Sequence, residues 1–342
     1  MKIVLGIFFF LLNFCFAQDQ SWDREQIEEA LEYAKSIHGN YNKSEALQKI
    51  IKMLTNPEKT EECLEFLQHT LEVAKTLEGY SKESTLEEIA IALAKIKKFH
   101  KALEVAHFMK DTYNKSGALI QIAEVFTQEG KKEESLRLLQ QSLEFVNTLE
   151  NNYHKPEALA HIAKVFIQNE KKEEASKLLQ EALEQTNTIE KASDKYKPLL
   201  EIALVFAQSE KREEAISLLQ QSLKIAKTIE NVHARSAALG QISQKSEEIV
   251  ILFLQNKDFQ KALDLSHLVE EDTLYKDSIL EKIALALTQN GEVQKALEVA
   301  NAIKSNYYKS EILIKIKEVL IKLGDSQKVL EVSEMLEKIE NE

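Results

Sequence analysis

Three consecutive stretches of this chain are copies of one another, and no other feature limits its fold so much. They run Lys115–Glu150, Lys155–Glu190 and Lys195–Glu230. Ile122, Ile162 and Ile202 fall at one slot of the copy, and Leu139, Leu179 and Leu219 at another. A repeat of this length is one supersecondary unit that cannot bury its apolar face alone. Stacked copies bury it against each other, so the chain is expected to grow as a solenoid and not as separate cores.

The rest of the composition agrees with helical units. Only 8 Gly and 3 Pro occur in 342 residues, and 44% of the chain is hydrophobic. Few residues are present that would break a helix. The formal charge is −12. Lysine and glutamate are interleaved at short intervals, the pattern of solvated helix faces with i,i+4 pairs. No basic stripe runs along the chain, which argues against a nucleic-acid partner.

Residues 1–17 read MKIVLGIFFFLLNFCFA. Lys2, the apolar run Ile3–Phe16, and the small residues Cys15 and Ala17 before Gln18 predict a secretory signal peptide. The competing reading is a membrane anchor, but the run is shorter than the ~20 residues that span a bilayer. The expected location is therefore periplasmic or secreted, with no membrane span after cleavage. Cys63 is then the sole mature cysteine, so no intrachain disulfide is expected.

Trp22–Ile37 predicts one helix, with Ile27, Ala30, Leu31, Ala34 and Ile37 on one face. It matches only the second half of a repeat, so residues 18–43 are expected to be a terminal cap. Residues 44–342 then divide into eight helical pairs, with an irregular one at 235–269. Between pairs a tyrosine element recurs, as YNKS at Tyr41–Ser44 and Tyr113–Ser116 and YKP at Tyr196–Pro198. Its Ser or Pro is expected to open the next helix. Its Tyr is expected to wedge between pairs with a wet hydroxyl.

The spacing inside a pair resembles the tetratricopeptide repeat. Leu119, Ile122-Ala123, Phe126, Gly130, Ser135, Leu139 and Ser142 follow that family's order of large, large-small and aromatic residues, then small, large, small. Small residues recur 12 apart at Ala90/Ala102, Ala123/Ser135, Ala163/Ala175, Ala203/Ala215 and Ala284/Ala296. They let two antiparallel helices approach closely. Cys63 occupies one of these small slots. The family's usual Trp and closing Pro are missing, and the spacing between pairs varies from 33 to 47 residues. The resemblance implies an all-α fold, a right-handed α-solenoid of antiparallel helix pairs. In the 47-residue interval, Ser236–Leu254 is expected to form one long first helix.

No reaction is legible. The eight histidines are scattered, and His100/His107 and His154/His161 lack the further ligands of a metal motif. No phosphate loop or nucleophile elbow is present. The chain is therefore expected not to be an enzyme and to need no cofactor and no metal. The resemblance places the first helices along a groove. Its facing positions would be Ile120, Glu124 and Thr127; Ala160, Lys164 and Ile167; and Leu200, Leu204 and Ala207. This largely apolar set suits a protein or peptide partner of unknown identity. Burial by tight curvature or self-association fits the same residues. Two readings stay open: an exported interaction scaffold, and a self-associating structural element that forms homo-oligomers.

Overall fold

A computed structural model of the chain describes residues 22–149, 154–268 and 274–341. The candidate signal peptide falls outside them. The described residues form seventeen α-helices and no strand. Among them, no helix is long and apolar enough to cross a membrane. The chain divides into two compact units, Met1–Leu178 and Leu179–Glu342.

In the first unit, α1 (Arg24–Ser36) stands alone before the pairs. Asp23 accepts from the Gln26 N–H at 2.8 Å, and the Gln26 side chain accepts from the Asp23 N–H, a reciprocal cap. Trp22 is buried, and its Nε1 donates to the Met53 carbonyl at 2.9 Å. The pairs that follow are α2 (Asn40–Met53) with α3 (Thr60–Lys75), α4 (Gly79–Lys95) with α5 (Phe99–Phe108), and α6 (Thr112–Gln128) with α7 (Lys132–Asn147). Next comes α8 (His154–Gln168), followed by α9 (Lys172–Asn187), within which the unit boundary falls.

The second unit contains α10 (Ala192–Gln208) with α11 (Arg212–Lys227), α12 (Val232–Gln255) with α13 (Phe259–Ser266), α14 (Leu274–Gln289) with α15 (Val293–Asn301), and α16 (Asn306–Leu323) with α17 (Ser326–Glu340). The long first helix expected in the irregular pair is α12, at 24 residues.

The small-residue interval does the work expected of it. Ala90, Ala102, Ala123, Ser135, Ala163, Ala175, Ala203, Ala215, Ala284 and Ala296 are all buried. Cys63 is buried in the same slot, as a free thiol. Large residues fill the flanks: Ile122, Ile162, Ile202 and Leu139 are fully enclosed. Each such side chain contributes about 1.5–3 kcal/mol through removal from water, against the entropy of ordering it.

The turn inside seven of the eight pairs has one conformation, and between α2 and α3 a 3-10 turn at Pro57–Lys59 takes its place. Seven residues beyond the small slot of the first helix the backbone is left-handed, at Lys97, Gly130, Glu170, Glu210, Lys257, Gly291 and Gly324. That residue closes the helix by turning its end back on itself. Four of the seven are not glycine.

The junctions between pairs differ from expectation. α2 and α6 begin at Asn40 and Thr112, four residues ahead of Ser44 and Ser116. Asp111 caps α6 by accepting from Asn114 N–H at 2.9 Å, and Asn231 caps α12 by accepting from Ala234 N–H at 2.9 Å. Ser44 and Ser116 are buried one turn further in. Pro198 lies inside α10, not at its start. The tyrosines also diverge: Tyr41 and Tyr80 point into solvent, whereas Tyr196 is buried and its hydroxyl donates to Gln241 Oε1 at 2.8 Å.

Candidate functional site

The first helices of the pairs carry the candidate positions, and burial sorts them. In the first unit Ile120 and Ala160 are buried. Thr127 is half-buried and engaged inward: its hydroxyl is 2.7 Å from Ser135 Oγ and accepts from Asn169 Nδ2 at 2.7 Å. Glu124, Lys164 and Ile167 keep part of their surface in solvent. In the second unit Leu200 and Ala207 are buried, and Leu204 is half-exposed. The structure thus seats four of the nine candidates within the packing of the units.

The open side of α6 and α8 is polar. Lys164 Nζ lies 2.7 Å from Glu124 Oε1, and Gln168 Nε2 donates to the same oxygen at 3.0 Å. Burial pushes the Glu124 carboxyl up, but these two hydrogen bonds and the charges of Lys164 and His161 outweigh it and hold it below the usual carboxylate value. Gln121, Gln128 and Gln168 are exposed beside the pair. Sequence reasoning singled out none of these glutamines. It named Glu124 and Lys164 separately, although their identical slot in two copies and their opposite charge already signalled a pair.

A second polar contact joins α4 to α6. Asn114 Nδ2 donates to Glu87 Oε2 at 2.7 Å. Gly117 admits the other oxygen, since a Cβ built there would stand 2.4 Å from Glu87 Oε1. Burial, aided by the charges of Glu88 and Asp111, pushes the Glu87 carboxyl up to about 7 against the pull of Asn114 and His161. In the second unit lysines link successive first helices: Lys245 to Glu201 at 3.1 Å, Lys282 to Glu247 at 2.9 Å, and Lys315 to Glu281 at 3.1 Å.

The histidine pairs noted in the sequence do not converge. His100 Nδ1 lies 3.5 Å from Glu104, His107 Nδ1 lies 2.6 Å from the Leu103 carbonyl, and His154 stacks on Tyr113 with centroids 3.9 Å apart. Among the described residues no group of three or more His, Cys, Asp or Glu is placed to hold a metal ion.

Helix pairs with buried small residues 12 apart, stacked first helix on first helix, define a tetratricopeptide-like helical-repeat protein. No protein-family model matches the chain, and no curated protein sequence does. Similar solved structures include a Rap protein complexed with competence and sporulation factor, at 14% identity over 100% of this chain and 98% of that one, with a TM-score of 0.44. Aspartyl phosphate phosphatase F from Bacillus subtilis is similar at 14% identity over 95% and 96% of the two chains, with a TM-score of 0.42. A signal-transduction ATPase with a tetratricopeptide repeat sensor from Pyrococcus horikoshii is similar at 18% identity over 93% of this chain and 45% of that one, with a TM-score of 0.40.

Proposed function

We propose that this chain is an exported protein-interaction scaffold whose first-helix face receives a peptide or protein segment. The observation that carries this reading is the polar strip of Glu124, Lys164 and Gln168. It is tied to itself by short hydrogen bonds, it is half-open to solvent, and it sits on rigid helices. Ordered side chains on a stiff support lose little freedom on binding, which favours recognition. Ile167 beside them adds an apolar contact. The export part of the proposal rests on residues 1–17, and an intact mass beginning at Gln18 tests it.

The binding part is tested with a photo-crosslinking residue at Gln121 or Gln168 in the chain beginning at Gln18. A discrete crosslinked partner is expected, and Lys164→Glu, which sets like charge beside Glu124, should reduce its yield severalfold. Equal crosslinking to the same partner from the exposed Glu144 of α7 would sink the reading.

One observation favours self-association as a second reading. Ile314 and Leu330, at 45% and 62% exposure, occupy slots that in other pairs hold the buried Ile120 and Leu200, and the buried Ile216 and Leu297. Ile321 beside them is 58% exposed. Sedimentation at micromolar concentration decides: a clean monomer removes this reading. A dimer abolished by Ile314→Lys with Ile321→Lys supports it.

A further inference from the structure

One slot of the repeat holds a large ring that the packing leaves outside. Tyr41, Tyr80 and Tyr113 each fall ten residues before the small slot of their first helix, at Ile51, Ala90 and Ala123. Each is the second residue of that helix, since α2, α4 and α6 begin at Asn40, Gly79 and Thr112. Tyr153 continues the spacing before Ala163, outside the described residues. Tyr41 and Tyr80 are both 75% exposed, and Tyr113 is half-buried against His154. A single exposed apolar side chain needs no explanation. The same ring at the same place in consecutive pairs does, because burial does not account for Tyr41 or Tyr80. α2 packs on α4 and α4 on α6, so these helix starts follow one another along one edge of the first unit, at the spacing of neighbouring helices, about 8–10 Å.

Between the starts of α4 and α6 this edge opens into a hollow of about 780 Å³, a volume that holds a small ligand. Tyr80 and Phe108, the latter 54% exposed, stand on its rim. Its charges nearly cancel, for Lys82 and Lys110 line it together with Glu78, Glu83 and Asp111. Such a rim draws neither a polyanion nor a polycation from a distance. It sets hydrogen-bond donors beside acceptors, which suits hydroxyl groups, since each hydroxyl is both.

Equal groups at equal spacing suit a ligand that itself repeats. An uncharged polymer that is rich in hydroxyls and also has flat apolar faces is a β-linked polysaccharide of equatorially substituted rings. The axial C–H bonds of each sugar ring lie on the negative face of an aromatic side chain. Two sugar units of the extended chain span about one helix spacing. We propose that the tyrosine edge of the first unit is a docking site for such a neutral polysaccharide. Sugar rings stack on Tyr41 and Tyr80, and the unit beside Tyr80 enters the hollow, where its hydroxyls meet Lys82, Lys110 and Asp111. The edge lies at the helix starts, whereas Lys164 and Gln168 lie in later turns of α8, so the proposal does not depend on the polar strip.

The test is calorimetric titration of the chain beginning at Gln18 with cellohexaose, with chitohexaose and, as a polyanion, with a heparin hexasaccharide. At least one neutral hexasaccharide is expected to bind. The matching disaccharide should bind about tenfold more weakly or worse, because only the longer chain reaches two aromatic groups at once. Tyr41→Ala and Tyr80→Ala, at exposed sites where folding is checked by circular dichroism, should each weaken the hexasaccharide severalfold. Tyr80→Phe keeps the ring and should bind as the parent does. Lys164→Glu on the polar strip should leave the affinity unchanged. Three results overturn the proposal: no binding of either neutral hexasaccharide, tighter binding of the heparin fragment, or undiminished binding by the Tyr41→Ala, Tyr80→Ala double variant. An edge built for a protein partner gives the first of these.

Discussion

Glu87 is a carboxyl group that the fold holds against its own chemistry. Its folded value of about 7 stands above the ordinary 4.5, so the folded chain binds the proton more tightly than the unfolded chain does. Stability is therefore expected to fall as pH rises from 4.5 toward 7, and to level off above that. The span bounds the effect at no more than about 3 kcal/mol, less what solvent reaching the half-buried side chain removes. Glu87→Gln keeps an acceptor for Asn114 and has no charge to lose. Its melting temperature should exceed that of the parent at pH 8, and the two should converge near pH 5. Parallel melting curves for the two chains across that range would show that the carboxyl titrates normally. Gly117 belongs to the same contact. Gly→Ala inside a helix usually gains about 0.5–1 kcal/mol, and Gly240 of α12, with open space around its missing Cβ, should show that gain. At Gly117 the new methyl meets Glu87 Oε1, so the gain should vanish or reverse. Urea unfolding of Gly117→Ala and Gly240→Ala side by side checks the contrast.

At the scale of elements, what the sequence disclosed depended on whether the signal was local. The pairing of Ala123 with Ser135 and of Ala163 with Ala175 was legible, because a small residue recurring at a fixed interval has one economical explanation, close helix approach. The starts of α2 and α6 were not, because Ser44 and Ser116 look like caps while the capping is done upstream by residues such as Asp111. The turns were half legible. Gly130, Gly291 and Gly324 marked them, but Lys97, Glu170, Glu210 and Lys257 hold the same left-handed conformation without a glycine's signal. A side chain there costs roughly 1 kcal/mol against glycine. Glu170→Gly and Glu210→Gly should each stabilise the chain by about that amount in urea unfolding, since both copy what Gly130 already does. Loss of stability in either variant would mean that the side chain contributes more than its backbone strain costs. The candidate groove was legible as a set of slots and illegible as a surface. Nothing in the sequence of α6 says that another pair lies over Ile120, whereas Glu124 and Lys164 remain open because charge stays in water.

For the molecule as a whole, stacking makes each pair answer mainly to its neighbours, so stability should be local in a way that a single-core protein's is not. Two probes at distant places in the chain can measure this. Cys63 in α3 is a buried free thiol whose burial pushes its ionisation up, so in the folded state it reacts slowly with a disulfide reagent. Ile283 in α14 is fully buried among the first helices of the second unit. Ile283→Ala removes about 2–5 kcal/mol of packing at that point. In hydrogen exchange the amides of α14 and α16 should lose protection by orders of magnitude, because α14 packs on α15 and α16 and loosening it weakens the support of both. The labelling rate of Cys63 should change by less than threefold. If Cys63 instead becomes reactive in step with α14, the two units unfold as one body, and the local stability expected of a solenoid does not hold for this chain. If it does hold, a partner that closes on one unit should protect that unit's amides and leave the other's exchange unaltered, which makes the same measurement a map of where binding occurs.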